Sequence, residues 1–228
     1  SAAFVANAAI NDRNGTQSDD YDNYISENNN YSPYTKENIN FEKNEVTDIH
    51  PFYIKSLEDE NVVYDSTVSC RLSIHAADVE YSYGDSWFSL SDVETISLDK
   101  GERVYFRYVG ENYLSGVAEN TEQSRLTTTT KTFDVGGDIR TLIFGNTTEE
   151  SVPERGMESL FNGLKVVDAS KLLLKATTLA DYCYANMFKG CTGLTQAPAL
   201  PATTLASGCY SGMFSGCTSL TQAPELPA

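Results

Sequence analysis

The stretch MFKGCTGLTQAPALPA at residues 187–202 returns as MFSGCTSLTQAPELPA at residues 213–228, with 13 of 16 positions identical. The segment ATTLASGCYSG at 202–212 likewise matches ATTLADYCYAN at 176–186. Both pairs are offset by 26 residues. A period of this length is typical of solenoids, in which each unit buries its apolar face only by stacking on its neighbours. The repeat therefore favours an extended binding surface over a catalytic pocket.

The positions at which the two copies differ indicate which side chains face solvent. Lys189 becomes Ser215 and Ala199 becomes Glu225 in the second copy. An unpaired charge is costly to bury, so these positions are expected on the surface. The unchanged Met-Phe, Gly-Cys, Leu and Cys-Tyr positions, together with the ATTLA block, are expected to form the stacking core.

Within that core, five residues of the second copy have the spacing of one face of a short helix. They are Cys209, Tyr210, Met213, Phe214 and Cys217. Leu220 and Leu226, interleaved with Pro224 and Pro227, indicate a short extended segment, because proline has no N–H to donate to a strand ladder. Each repeat is therefore predicted to contain a short strand, a turn and one or two helical turns.

The pattern LTQAPELPATTLAxxCYxxMFxGCTSL resembles the BspA-like branch of the leucine-rich repeats, which is found in surface proteins of Bacteroidetes. The resemblance rests on Leu194 and Leu220, on the Leu-Pro pairs at 200–201 and 226–227, and on Met-Phe-x-Gly-Cys at 187–191 and 213–217. It covers about 70 residues and begins with a degenerate unit at Leu160-Phe161-Asn162-Gly163, offset by 27. It implies a solenoid of short strands and short helices, and adhesion or ligand capture at a cell surface.

Upstream of the repeats, residues 51–150 resemble the small β-domain that precedes such repeats, and the residues support strands independently. Apolar and polar residues alternate at 68–74 and 104–108, as half-buried strands require. Gly84-Asp85 between two apolar runs, 79–83 and 87–90, indicates a hairpin. Strands are also expected at 126–135 and 139–144. The predicted fold is therefore a small β-sandwich, with Trp87 as a core residue, followed by the solenoid.

Charge and composition divide the chain into a polar acidic segment (1–50), the β-sandwich domain (51–150) and the repeats (151–228). The formal net charge is −16, of which residues 1–65 carry −9, residues 66–150 carry −7 and the repeats none. This balance disfavours nucleic acid as a partner, and an anionic membrane surface too, since binding either requires basic residues. The first segment is rich in Asn, Asp, Ser and Tyr, and is expected to be extended or ordered by a partner.

The five cysteines are predicted to be free and buried rather than paired in disulfides. Cys183 and Cys191 lie about 12 Å apart along one predicted helix. Their counterparts one repeat later, Cys209 and Cys217, would lie about 8–10 Å away on a neighbouring helix axis, beyond the ~7 Å that a disulfide spans. The sequence also lacks the Cys and His spacing of a zinc site.

Calcium, catalysis and membrane insertion are not indicated either, and no cofactor is expected. The Asp-x-Asn-Gly run at 12–15 fails the EF-hand register, because positions 1 and 12 would be Ile10 and Tyr21. The chain carries no phosphate loop, nucleophile elbow or His-Glu metal motif. It has no apolar run of ~20 residues and no secretory signal or lipid-anchor cysteine, while Ser1 suggests a processed start.

At the other end, Ala228 stands where the next ATTLA should follow. Solenoids need a polar cap at each end. We therefore expect either a longer array or a cover on the last repeat.

The sequence thus predicts a non-enzymatic, exported or surface-displayed protein that binds a protein or glycan ligand. The candidate binding residues are the exposed positions beside Leu194 and Leu220, namely Thr195, Gln196, Thr221 and Gln222. A simpler interpretation is that Thr favours strands and that the repeats duplicated recently. One rival is a structural component of a phage virion, pilus or outer-membrane complex, docked through the first segment to neighbouring subunits. The other is a carbohydrate-binding or hydrolytic accessory domain around Trp87 and Tyr83.

Overall fold

The computed structural model describes residues 50–84, 86–111, 113–114, 126–127 and 129–227. The predicted extended segment at 1–50 and the run at 12–15 lie outside the described residues, except for His50. The described part is β-rich with few helices. Its strands are β1 (Tyr53–Ser56), β2 (Asn61–Asp65), β3 (Val79–Ser82), β4 (Phe88–Ser89), β5 (Thr95–Leu98), β6 (Arg103–Tyr108), β7 (Phe133–Asp138), β8 (Ser151–Val152), β9 (Lys171–Leu173) and β10 (Thr178–Leu179). Its α-helices are α1 (Arg71–Ile74) and α2 (Ile139–Phe144), with 3₁₀ turns at Ala76–Asp78 and Leu90–Asp92.

Six strands form one open sheet in the order β4-β3-β6-β1-β7-β9. The pairs are antiparallel from β4 to β7, while β9 runs parallel to β7. The hairpin predicted around Gly84 is confirmed by the β3–β4 pair, and the alternating run at 104–108 is confirmed as β6. Two small sheets, β2–β5 and β8–β10, complete the strand pairing of the described residues.

Two predicted strands are wrong. At 139–144 the chain forms α2, because Asp138 caps its first turn by accepting from the Arg140 N–H and Gly145 ends it in the left-handed region (φ 71°). Its buried Ile139, Leu142 and Ile143 have helical spacing.

At 68–74 the alternation breaks because Val68 and Ile74 are 44% and 46% exposed, and a turn leads into α1. The strand expected at 126–135 lies later, in β7.

The six-stranded sheet crosses the predicted boundary at residue 150, since β7 pairs with β9 in the repeat region. A column of aromatic rings also crosses it. Phe106 lies 6.5 Å from Phe52, Phe52 lies 6.1 Å from Phe161, and the stack continues to Phe188 (5.0 Å) and Phe214 (5.7 Å). The β-domain and the repeats therefore share one sheet and one hydrophobic core.

The helix predicted in each repeat is wrong, because these residues form a flat series of β-turns. We call the three segments ribbon 1 (154–164), ribbon 2 (181–191) and ribbon 3 (207–217). An α-helix bonds each N–H to the carbonyl four residues earlier. In the ribbons every second N–H bonds three residues back, as when Met187 donates to the Tyr184 carbonyl. In addition, every fourth residue has positive φ, as at Tyr182, Asn186 and Gly190 in ribbon 2.

The remaining N–H groups of each ribbon bond to the next ribbon. Five N–H groups of ribbon 1, from Arg155 to Gly163, donate to carbonyls of ribbon 2 at 2.7–3.1 Å. Five of ribbon 2, from Tyr182 to Gly190, donate to ribbon 3 at 2.8–3.0 Å. The positive φ angles also explain why Tyr182 and Asn186 become Gly208 and Gly212, since glycine adopts this conformation without strain.

Candidate binding surface

The four predicted binding residues are all exposed, and the structure joins the first two to the main sheet. The Thr195 N–H and hydroxyl both donate to the Val167 carbonyl, at 2.9 and 3.1 Å. The Ala169 N–H donates to the Gln196 carbonyl at 2.9 Å, and Gln196 forms a parallel bridge with Asp168. Because Val167 and Asp168 themselves bond to β7, Thr195 and Gln196 extend the six-stranded sheet by one position.

The other two residues, Thr221 and Gln222, lie at the corresponding place in the next repeat. Within the described residues no hydrogen bond joins them to Thr195 or Gln196. The nearest bond between the two copies is from the Thr218 hydroxyl to the Thr192 carbonyl, at 3.4 Å. The four residues thus share an exposed location, and only the first pair is tied to a strand ladder.

Gln196 is the end of a polar row that runs across the sheet, which sequence reasoning missed. Lys55 on β1 lies opposite Arg103 on β6 and Asp134 on β7. Residues in register on neighbouring strands share one face of a sheet. The Asp168 N–H donates to Asp134 Oδ1 at 3.1 Å, and Asp168 bridges to Gln196. We call Arg103, Lys55, Asp134, Asp168 and Gln196 the polar row; at ~4.8 Å per strand it is about 19 Å long.

The polar row carries two cations, two carboxyl groups and an amide, all half-buried or exposed. Partial burial, and then the neighbouring Asp168 carboxylate, raise the pKa of Asp134 above its usual range. The Asp168 N–H and the cations Lys55 and Arg103 act in the opposite direction. The row therefore offers a graded set of donors and acceptors within reach of one extended ligand. The signal in the sequence was weak, because register between distant strands is not visible in a single chain.

A second exposed ladder, also missed, is formed by the ATTLA blocks. Thr178 pairs in parallel with Ser151 on one side and with Thr204 on the other. All three side chains are exposed, so the threonines of ATTLA are not core residues as expected. The identical ATTLA blocks were the signal available in the sequence, and strand propensity accounts for them without a ligand.

Trp87 is neither buried in the core nor an open aromatic platform. The indole is half-buried, and the Arg107 guanidinium lies over its ring, 4.2 Å from the centroid. Arg107 also donates to Glu80 Oε2 at 2.5 Å, which holds it in place. Tyr83, the partner suggested for Trp87 in sugar binding, is only 9% exposed. Since a sugar stacks on an open ring face, this geometry disfavours a carbohydrate site centred on Trp87.

The cysteines serve packing, as predicted. All five are free and buried. The Cys191 thiol donates to the Phe161 carbonyl at 3.1 Å and the Cys217 thiol to the Phe188 carbonyl at 3.0 Å, so each reaches back to the preceding ribbon. Burial raises the pKa of Cys183 and of Cys191 to about 12. These thiols are therefore poor nucleophiles and poor metal ligands at neutral pH.

The part of the chain that the structure describes holds no group of three or more His, Cys, Asp or Glu side chains arranged to bind a metal ion. Among the same residues, every helix is too short or too polar to cross a bilayer. Comparison of the chain with protein-family models, with curated proteins and with solved structures finds no match.

Proposed function

We propose that this chain is a non-enzymatic binding module of an exported, surface-displayed protein, and that its ligand is a glycan. We further propose that its β-domain is a small β-sandwich and its repeats a leucine-rich-repeat solenoid. The repeated sequence, the ribbon-to-ribbon hydrogen bonds and the shared ring column support the solenoid. The resemblance to BspA-like surface proteins supports the location.

The polar row is the observation that carries the proposal. Asp134 and Asp168 supply acceptors, Lys55 supplies donors, and the Gln196 amide supplies both. Sugar hydroxyl groups need this mixture, because each hydroxyl both donates and accepts a hydrogen bond. A length of about 19 Å would span several sugar rings. The core does not need these side chains, since the row lies on the face opposite the buried Ile54 and Val104.

The experiment measures binding of the chain to a glycan panel before and after the polar row is altered. We expect Gln196→Lys with Gln222→Lys, and separately Asp168→Asn, to reduce binding to the preferred glycan at least about tenfold. That is the effect of losing roughly 1.4 kcal/mol of hydrogen bonding. Lys189→Ser, which copies the exposed Ser215 of the next repeat, is the matched control and should bind normally.

Unchanged binding by both altered proteins, with melting temperatures equal to that of the original, would remove the function from the polar row. If the chain binds no glycan on the panel but is retained by protein extracts of a host-cell surface, the ligand is a protein.

A further inference from the structure

The outer face of ribbon 3 carries backbone donors that have no acceptor. By their spacing, the donors that correspond to ribbon 2 are the N–H groups of five residues of ribbon 3. They are Gly208, Tyr210, Gly212, Phe214 and Gly216. Within the described residues, none of these five groups donates a hydrogen bond. Backbone N–H groups strongly require partners when they are covered, so the face favours an occupant that supplies acceptors.

The same face presents no backbone acceptors. The odd-numbered carbonyls of ribbon 3, from Ser207 to Ser215, accept from ribbon 2. The even-numbered ones, from Gly208 to Gly216, accept from residues two or three positions later within ribbon 3, as when Ser211 donates to Gly208. The backbone therefore offers a row of donors alone, spaced two residues apart.

Apolar side chains surround this donor row and are uncovered in comparison with the previous repeat. Leu205 is 48% exposed, whereas Leu179, its counterpart 26 residues earlier, is 4% exposed. Leu226 is 55% exposed and its counterpart Leu200 is 5% exposed. Phe214 is half-buried with one ring face on Phe188 at 5.7 Å. We call ribbon 3 together with Leu205 and Leu226 the terminal face.

A second copy of this chain does not supply what the terminal face lacks. If two copies met face to face, one donor row would oppose another. A head-to-tail contact would require the opposite face of ribbon 1, which is already covered. There the buried Arg71 side chain donates to the Gly156 carbonyl at 3.1 Å, Leu126 donates to Leu160 at 3.0 Å, and Phe52 packs on Phe161.

We propose that the terminal face binds one further unit of the same repeat pattern. Such a unit supplies carbonyls at alternate positions, as ribbon 3 supplies them to ribbon 2, and a Met-Phe and Cys-Tyr layer that continues the ring column. The argument is continuity, because the terminal face repeats the interface between ribbons 2 and 3 group by group. This inference is independent of the polar row and of any glycan.

The test extends the full chain after Ala228 with a second copy of residues 203–228 and follows amide hydrogen exchange. We expect the five donor amides of ribbon 3 to exchange about tenfold or more slowly in the extended chain, because closed amides exchange only on opening. The matched control carries an extension of the same composition in scrambled order, and its five amides should exchange as in the original chain. A second variant, Leu205→Asp in the extended chain, should abolish the slowing if the face itself is the contact.

Equal exchange with the repeat and the scrambled extensions would overturn the proposal. So would protection of these amides in the original chain together with a dimer in analytical ultracentrifugation, since a second copy would then be the occupant. A retained monomer whose five amides slow only with the intact repeat would support it.

Discussion

Ribbons 2 and 3 have nearly the same sequence and backbone but different burial. Phe188, Cys191 and Met187 are all fully buried in ribbon 2. In ribbon 3 the corresponding Phe214 is half-buried and Cys217 is 8% exposed. The positive φ angles recur at the same places in both, including Gly190 (73°) and Gly216 (78°). The comparison shows that the repeat sequence sets the backbone conformation, whereas the next layer sets the burial of each side chain.

The largest expected effect concerns the ring column. Phe188→Ala should lower the free energy of unfolding by about 3–5 kcal/mol, because a buried ring is removed between two neighbours. Phe214→Ala should cost less than half of that, since its ring has one packed face. Urea denaturation of both variants measures the difference, with Lys189→Ser as the near-neutral control. Equal losses for the two phenylalanines would show that burial does not differ between the ribbons.

The next effect is a pH dependence that arises from the buried thiols. Burial raises the pKa of Cys191 to about 12 in the folded chain, whereas an unfolded thiol titrates near 8.5. The folded state therefore holds the proton more tightly, and its stabilising effect is complete below pH ~8.5 and lost as the pH rises toward 12. We expect the free energy of unfolding to fall through this range by roughly 1.4 kcal/mol per pH unit per deeply buried thiol.

Cysteine variants separate the two ribbons in that titration. Cys191→Ala should reduce the slope of stability against pH more than Cys217→Ala does, because the Cys191 thiol is buried more deeply. The slope is read from urea denaturation at several pH values, and it does not depend on the packing lost at a single pH. A slope unchanged by Cys191→Ala would contradict the buried protonated thiol.

The smallest effect tests the turn ribbons by its sign. Gly190→Ala and Gly216→Ala should each destabilise the protein by about 1–2 kcal/mol, because alanine resists the left-handed conformation. The added methyl groups would meet only ordinary contacts, at 3.6 and 3.5 Å, so the cost comes from the backbone. A helix at these positions predicts the opposite, a gain of about 0.5–1 kcal/mol. Gly193→Ser, which copies Ser219, is the control and should be near neutral.

Much of the repeat region was predictable because periodicity reports directly on layers. The buried Met187, Phe188 and Cys191, the exposed Lys189, and the free state of the cysteines all followed from comparing two copies of one segment. The helix in each repeat was wrong because the i, i+4, i+8 spacing of a helix is also the spacing of consecutive four-residue turns. Two glycines in the second copy, at 208 and 212, were the available sign of turns.

The sequence by itself determined the 26-residue period, the inward side chains of each repeat, and the hairpin at Gly84, because these depend on local pattern. Only the tertiary structure decided that β7 pairs with β9 across residue 150, that Lys55, Asp134, Asp168 and Gln196 share a row, and that ribbon 3 is left with free donors. These features join residues far apart in the chain, by up to about 140 positions in the polar row. The register that brings them together is set by strand pairing, which a single repeat cannot encode.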